Sequence, residues 1–197
     1  MPRPRVHDDR LRERLLEEAT RLLALGGREG LSLRLLASCC GTSTTAVYRL
    51  FGDRARLLEA VLLRAAEEFA RAQSGAVEAE DPERSLLELA RAYRTWALAH
   101  PHRFRILFDP SGEQAPALQE FACRTRAPLL ERVERAVEAG VLAGPADRIA
   151  ASLWSAVHGC TLLQLGGALP EEAGLFEELA RAALRGWRPD PAPPVRR

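Results

Sequence analysis

The chain has 197 residues, 47% of them hydrophobic, and 28 basic against 27 acidic side chains leave a formal net charge of +1. That apolar content excludes a disordered protein and is enough for one or two cores. No run of eighteen apolar residues occurs, and the charged stretch from Met1 to Arg14 lacks a secretory pattern, so no membrane span and a cytoplasmic location are expected.

Helical periodicity then runs along the chain. Leu11, Leu15, Ala19, Leu22 and Leu23 recur at spacings of three and four, which marks one face of a first helix. Asp8 or Asp9 can cap it, and Gly26-Gly27 ends it. Ser32 caps a short segment, Leu33 to Cys39, that Gly41 breaks, and Ser43 caps a third, Thr44 to about Leu50. After Gly52-Asp53 comes a long amphipathic helix with Leu57, Leu58, Val61, Leu62, Ala65 and Phe69 on its inner face.

The small, acidic stretch Ser74 to Asp81 reads as a linker, and Asp81-Pro82 as a cap followed by proline at the first helical position. The next helix carries Leu86, Leu89, Ala90, Tyr93, Trp96 and Ala97 as far as His100-Pro101, and a short one holds Phe104, Leu107 and Phe108. Asp109 to Gly112 reads as a turn. A helix from about Ala115 to Ala139 follows, stopped by Gly140 and kinked or split at Pro128. Two more run from about Asp147 to Gly166 and from Glu171 to Arg185, the last with acids in its first turn. The Pro-rich tail 188–197 is expected to be disordered. Period-two alternation is missing. The expected fold is all-α, about nine helices: a head over 8–55, a linking helix over 54–73 and a body over 74–187.

Ser32 to Phe51 carries the chemistry. Two short helices joined at Gly41, with small Ala37 where they approach, suit a helix-turn-helix. Leu33, Leu36, Val47 and Phe51 form the expected seam. Thr44, Thr45, Tyr48 and Arg49 are left outside, and hydroxyls, an aromatic and a cation there suit phosphates and base edges. Ser32, Arg34, Ser43 and Arg54 complete the expected DNA-binding set. Charge agrees in sign: eleven arginines face seven carboxylates up to Arg56, and seventeen face twenty beyond it.

From about Arg14 to Leu62 this ordered set resembles the DNA-binding domain of the TetR family of bacterial repressors. The marks are Ala19 with Leu22-Leu23, Ser32-Leu33-Arg34 with Leu36-Ala37, Gly41-Thr42-Ser43, Val47-Tyr48-Arg49-Leu50-Phe51, then Asp53-Arg54 and Leu57. The resemblance implies that Tyr48 and its neighbour touch DNA backbone, and that Arg54 replaces a lysine opening the fourth helix. Leu35 stands where the family usually has a polar residue, and Thr42 where it usually has an aliphatic one. Farther on, Tyr93-x-x-Trp96-Ala97-Leu98-Ala99-His100-Pro101 with Phe104-Arg105, and Trp154-Ser155-Ala156-Val157-His158-Gly159, resemble the sensor domain of a Trp-x-x-x-His-Gly subfamily.

The resemblance implies a homodimer through the last two helices, presenting recognition helices to a pseudo-palindromic DNA operator, and an unknown small-molecule effector. Trp96, Phe104, Phe108, Phe121, Arg124, Trp154 and His158 are candidate effector contacts, with Arg126 and Gln164 as further polar partners. Trp154 and His158 equally suit a core pair at i and i+4. Cys39-Cys40 reads as small buried filler. Without a Cys-x-x-Cys, a Glu-x-x-His pair or a phosphate loop, no metal, cofactor or catalytic residue is expected. Two other readings remain: a helical module that has lost DNA binding, and an α-helical enzyme.

Overall fold

The computed structural model describes residues 5–108 and 116–189, and the side chains of these apart from 5–7, 28 and 116–124. The described residues form nine helices and no strand: α1 (Arg5–Gly30), α2 (Leu33–Cys39), α3 (Thr44–Phe51), α4 (Arg54–Ser74), α5 (Pro82–Ala99), α6 (Pro101–Leu107), α7 (Pro116–Glu138), α8 (Ala146–Leu165) and α9 (Ala173–Arg185). No described helix is long and apolar enough to cross a membrane. The turn expected at Asp109 to Gly112 lies outside the described residues, as does the tail from 190 on.

The chain forms two compact units, Met1–Glu68 with His100–Phe121, and Phe69–Ala99 with Ala122–Arg197. Chain order and spatial grouping part at α6. It follows α5 in sequence but packs along α1, where Arg105 donates to the Ala24 carbonyl at 3.3 Å. Arg103 of α6 pairs with Glu17 of α1 and, at 3.0 Å, with Glu68 of α4. Phe104 is fully buried, which at about 25 cal/mol per Å² is worth roughly 2–3 kcal/mol.

The first core joins Leu15, Leu16, Ala19, Leu22 and Leu23 of α1 to Leu36 and Ala37 of α2, Val47 and Phe51 of α3, and Leu57 and Val61 of α4. Gly27, at φ 60° and ψ −160°, interrupts α1 where the double glycine predicts its end, and a last turn resumes to Gly30. In the second unit Leu86 and Leu87 of α5 pack with Val133 and Ala136 of α7, Ile149 and Leu153 of α8, and Ala180 and Leu184 of α9.

Two expected element features are corrected. Pro128 does not split α7, which runs continuously through it. Leu129, Leu130, Val133, Ala136 and Val137 all pack on the second core, and that burial offsets a lost hydrogen bond costing about 3 kcal/mol. Helix α9 begins at Ala173 with Glu172 as its cap residue, so Glu171 and Glu172 precede the first turn instead of forming it.

Candidate nucleic-acid interface

Helix α2 ends in a Schellman turn. The Thr42 N–H donates to the Ala37 carbonyl at 2.9 Å, and the Gly41 N–H to the Ser38 carbonyl at 3.1 Å. Gly41 sits at φ 61°, where a side chain would be strained. Three residues later α3 starts. Ser43 Oγ accepts from the Ala46 N–H at 3.2 Å, and at the start of α2 Ser32 Oγ accepts from the Leu35 N–H at 3.4 Å. Both hydroxyls are therefore helix caps, each worth about 1 kcal/mol. Asp53 caps α4 through the Arg56 N–H at 2.8 Å.

These caps fix which side of α3 faces inward. Val47 and Phe51 are buried, while Tyr48 is 53% exposed. Thr45 and Arg49 are exposed too, and Thr44 is half-buried. Thr45, Tyr48 and Arg49 thus make one outward face at helical spacing. At the N-terminus of α3 the Thr44 and Thr45 amides lack intrahelical acceptors, as the first turn of any helix does, and the positive end of the helix dipole lies there.

The cations divide. Arg34 is exposed on α2. Arg54 turns back, its Nε donating to the Leu31 carbonyl at 2.9 Å, so it ties the start of α4 to the residue before Ser32. Arg14 donates to the Cys40 carbonyl, and the guanidinium of Arg12 lies 5.4 Å from the centre of the Phe51 ring. Arg49 meets a carboxylate, with Nη2 2.8 Å from Asp8 Oδ1. Sequence reasoning missed this partner, because Asp8 lies 41 residues away and reads as an ordinary cap. Cys40 is buried, as filler should be, but Cys39 is exposed. Partial desolvation and the neighbouring Glu18 carboxylate push the Cys39 thiol up, away from a reactive thiolate.

The candidate effector contacts are divided between the two units. Phe104 and Phe108 lie in the first unit, with ring centroids 4.8 Å apart. Trp96, Trp154 and His158 lie in the second. Phe121 and Arg124 are outside the described side chains. Trp96 is buried against Phe69, with centroids 5.1 Å apart. Tyr93 also packs edge-on to Phe69 at 5.2 Å, and its hydroxyl lies 2.6 Å from His158 Nδ1. Burial pushes the phenol up and the imidazole down, so both groups are held neutral and share one proton between hydroxyl and Nδ1. Trp154 stacks on His158 at 5.2 Å yet is 39% exposed. Trp154 therefore lies at the edge of the unit, while His158 packs α8 against Tyr93 of α5. Gln164 is buried, accepting from Arg94 Nε at 2.9 Å and donating to the Pro170 carbonyl at 2.7 Å. Both ends of its amide are engaged in joining helix segments.

Two family models match this chain. The one described as "Bacterial regulatory proteins, tetR family" covers residues 15–61, and "Tetracyclin repressor-like, C-terminal domain" covers 86–186. The chain is 30% identical over 142 residues to the HTH-type transcriptional regulator Rv1816 of Mycobacterium tuberculosis, a match that takes in 69% of this chain and 59% of that protein. It thus spans less than two thirds of that relative's length. Among solved structures it is similar to a protein of unknown function from Rhodococcus sp. RHA1, with 30% identity, a TM-score of 0.71 and 91% of this chain and 96% of that one covered. A TetR family transcription regulator from Marinobacter aquaeolei VT8 shares the fold, with 21% identity, a TM-score of 0.79 and coverage of 93% and 98%.

Proposed function

The chain belongs to the tetR family of bacterial regulatory proteins, and we propose that it is a DNA-binding transcriptional repressor released from its operator by a small molecule. The observation that supports this reading is the outward face of α3. Thr45, Tyr48 and Arg49 stand exposed on a helix that is capped, short and held from behind by Val47 and Phe51. Such a helix can enter a major groove with its N-terminal residues foremost. Arg49 on that face and Arg34 on α2 are exposed cations, and Ser32, Ser43 and Thr44 bring backbone and hydroxyl groups to the same two helix starts. Arg54 contributes by holding that region in shape.

One copy offers one recognition helix, and a pseudo-palindromic operator needs two. The second unit supplies a surface for pairing. Leu162 and Leu163 on α8 and Leu179 on α9 are exposed, and apolar exposure on helices packed side by side is what a self-complementary interface would bury. In this reading residues 8–55 bind DNA and 74–187 bind the partner subunit and an effector, with Trp96, Trp154 and His158 among its contacts. The helix over 54–73 connects the two regions. A cytoplasmic location goes with this reading. An effector can shift the DNA-binding equilibrium only by its unequal affinity for the two states.

The test is duplex binding at fixed salt. The protein is expected to select a pseudo-palindrome from a random pool and to lose affinity steeply as salt rises. Tyr48→Ala should weaken operator binding about tenfold, roughly 1.4 kcal/mol. Unchanged affinity in that variant would remove α3 as the recognition helix. A salt-insensitive wild type would favour a helix-turn-helix that no longer binds DNA.

A further inference from the structure

We propose that Asp8 sets the affinity of the DNA face by holding Arg49, so that its carboxylate and the DNA backbone compete for one guanidinium. This rests on the DNA-binding reading given above. Arg49 Nη2 and Asp8 Oδ1 are 2.8 Å apart, and the contact joins the start of α1 to α3. It is a tertiary pairing, and neither helix's own periodicity produces it.

Its neighbours make it distinctive. Arg14 and Arg12 touch neutral groups, the Cys40 carbonyl and the Phe51 ring. Their positive charge remains available to the surroundings. Arg49 lies on the outward face of α3 and is the one of these three that meets a carboxylate. A duplex docked on that face brings phosphates toward both members of the pair. The phosphates attract Arg49 and repel Asp8.

The form of the contact favours competition over support. A carboxylate that orients an arginine for base recognition works best as a buried, two-point pair. Here the contact is made through one nitrogen and one oxygen, and the two side chains are 59% and 40% exposed. Exposed pairs of this kind are weak and easily exchanged. Binding DNA therefore requires Arg49 to leave Asp8, and the loss of that contact lowers the net affinity.

The experiment is a double-mutant cycle on the full chain. Affinities of the wild type, Asp8→Asn, Arg49→Ala and the double variant are measured at one salt concentration, on the operator and on a random duplex. Asp8→Asn should tighten both by about threefold to tenfold, since each of two heads releases one weak pair. The double variant should gain clearly less over Arg49→Ala than Asp8→Asn gains over the wild type. Thermal unfolding should stay essentially unchanged in Asp8→Asn, because the pair is exposed. If the wild type binds and Asp8→Asn is no tighter, the proposal is overturned and the regulator reading stands. The same follows if the gain is as large without Arg49, for Asp8 would then act on DNA directly and not through Arg49. If no form binds any duplex, the regulator reading itself fails and takes this one with it.

Discussion

The two units treat polar groups differently. Among the described residues six polar or charged side chains are buried. Thr20 is the one in the first unit, and its hydroxyl merely bonds back to the Leu16 carbonyl one turn earlier at 2.8 Å. The second unit buries Gln73, Ser85, Arg132, Thr161 and Gln164. The head's core is otherwise apolar, and its long-range polar contacts, such as Arg54 to the Leu31 carbonyl, lie nearer the surface. In the second unit Arg132 and Gln164 are buried ties between residues far apart in sequence, while Thr161 bonds back to the Val157 carbonyl as Thr20 does to Leu16. An apolar seam tolerates change as long as volume is kept, whereas a buried polar tie fails as soon as one partner is lost.

Arg132 gives the largest expected effect and the sharpest way to break this contrast. Its guanidinium is buried and donates to three backbone carbonyls, Ser85 at 2.6 Å, Ala76 at 3.0 Å and Val77 at 3.2 Å. Burial pushes its pKa down, with Glu88 opposing from a distance. One side chain of α7 thereby fixes the connection between α4 and α5. Arg132→Met keeps much of the apolar stem but leaves the Ser85 carbonyl buried without its donor. A loss of about 2–3 kcal/mol is expected. All three tryptophans, Trp96, Trp154 and Trp187, lie in the second unit, so tryptophan fluorescence in a urea titration follows that unit selectively. A loss below about 1 kcal/mol would mean that the polar ties are incidental.

The head should respond more mildly, at its caps. Ser43→Ala removes the side-chain acceptor of the Ala46 N–H, leaving it the Ser43 carbonyl at 3.0 Å, and should cost about 1 kcal/mol. Ser32→Ala should cost less, because its bond to the Leu35 N–H is longer, 3.4 Å against 3.2 Å. Amide hydrogen exchange in α3 and α2 measures the two separately. No loss in either variant would mean that tertiary packing alone holds these short helices, and equal losses would mean that the difference in bond length does not matter.

The same contrast explains what could be read from the sequence. Ser32, Gly41 and Ser43 act on residues within a few positions of themselves, so the helix-turn-helix and its outward face were legible as a pattern. The seam of Leu36, Val47 and Phe51 followed from spacing alone. Long-range pairing was not legible. Nothing near Asp8 points to Arg49, nothing near Arg132 points to Ser85, and nothing near Gln164 points to Arg94. The packing of α6 on α1 had no signal either, since its short apolar run would suit any neighbour. At Pro128 the local rule left a kink or a split open, and packing of the residues that follow it goes with a helix that is not split.

The smallest effect concerns His158, and it tests whether the contrast extends to charge. Burial holds its pKa below the ordinary histidine value of about 6.5. Above that value the ring is neutral in folded and unfolded chains alike, and it adds no pH dependence. As pH falls the unfolded chain takes up the proton first, so stability is lost from about 6.5 down through the folded-state pKa. Protonation also removes the acceptor for the Tyr93 hydroxyl at Nδ1. His158→Gln keeps an acceptor and cannot titrate. The fluorescence-detected unfolding midpoint of the wild type should therefore drop more between pH 7.5 and 5.5 than that of the variant. The difference isolates one ring, because every other titrating group is common to both proteins. Equal drops would mean that the imidazole gains its proton without cost at the edge of the unit, and that the polar interior of the second unit ends before it reaches Trp154.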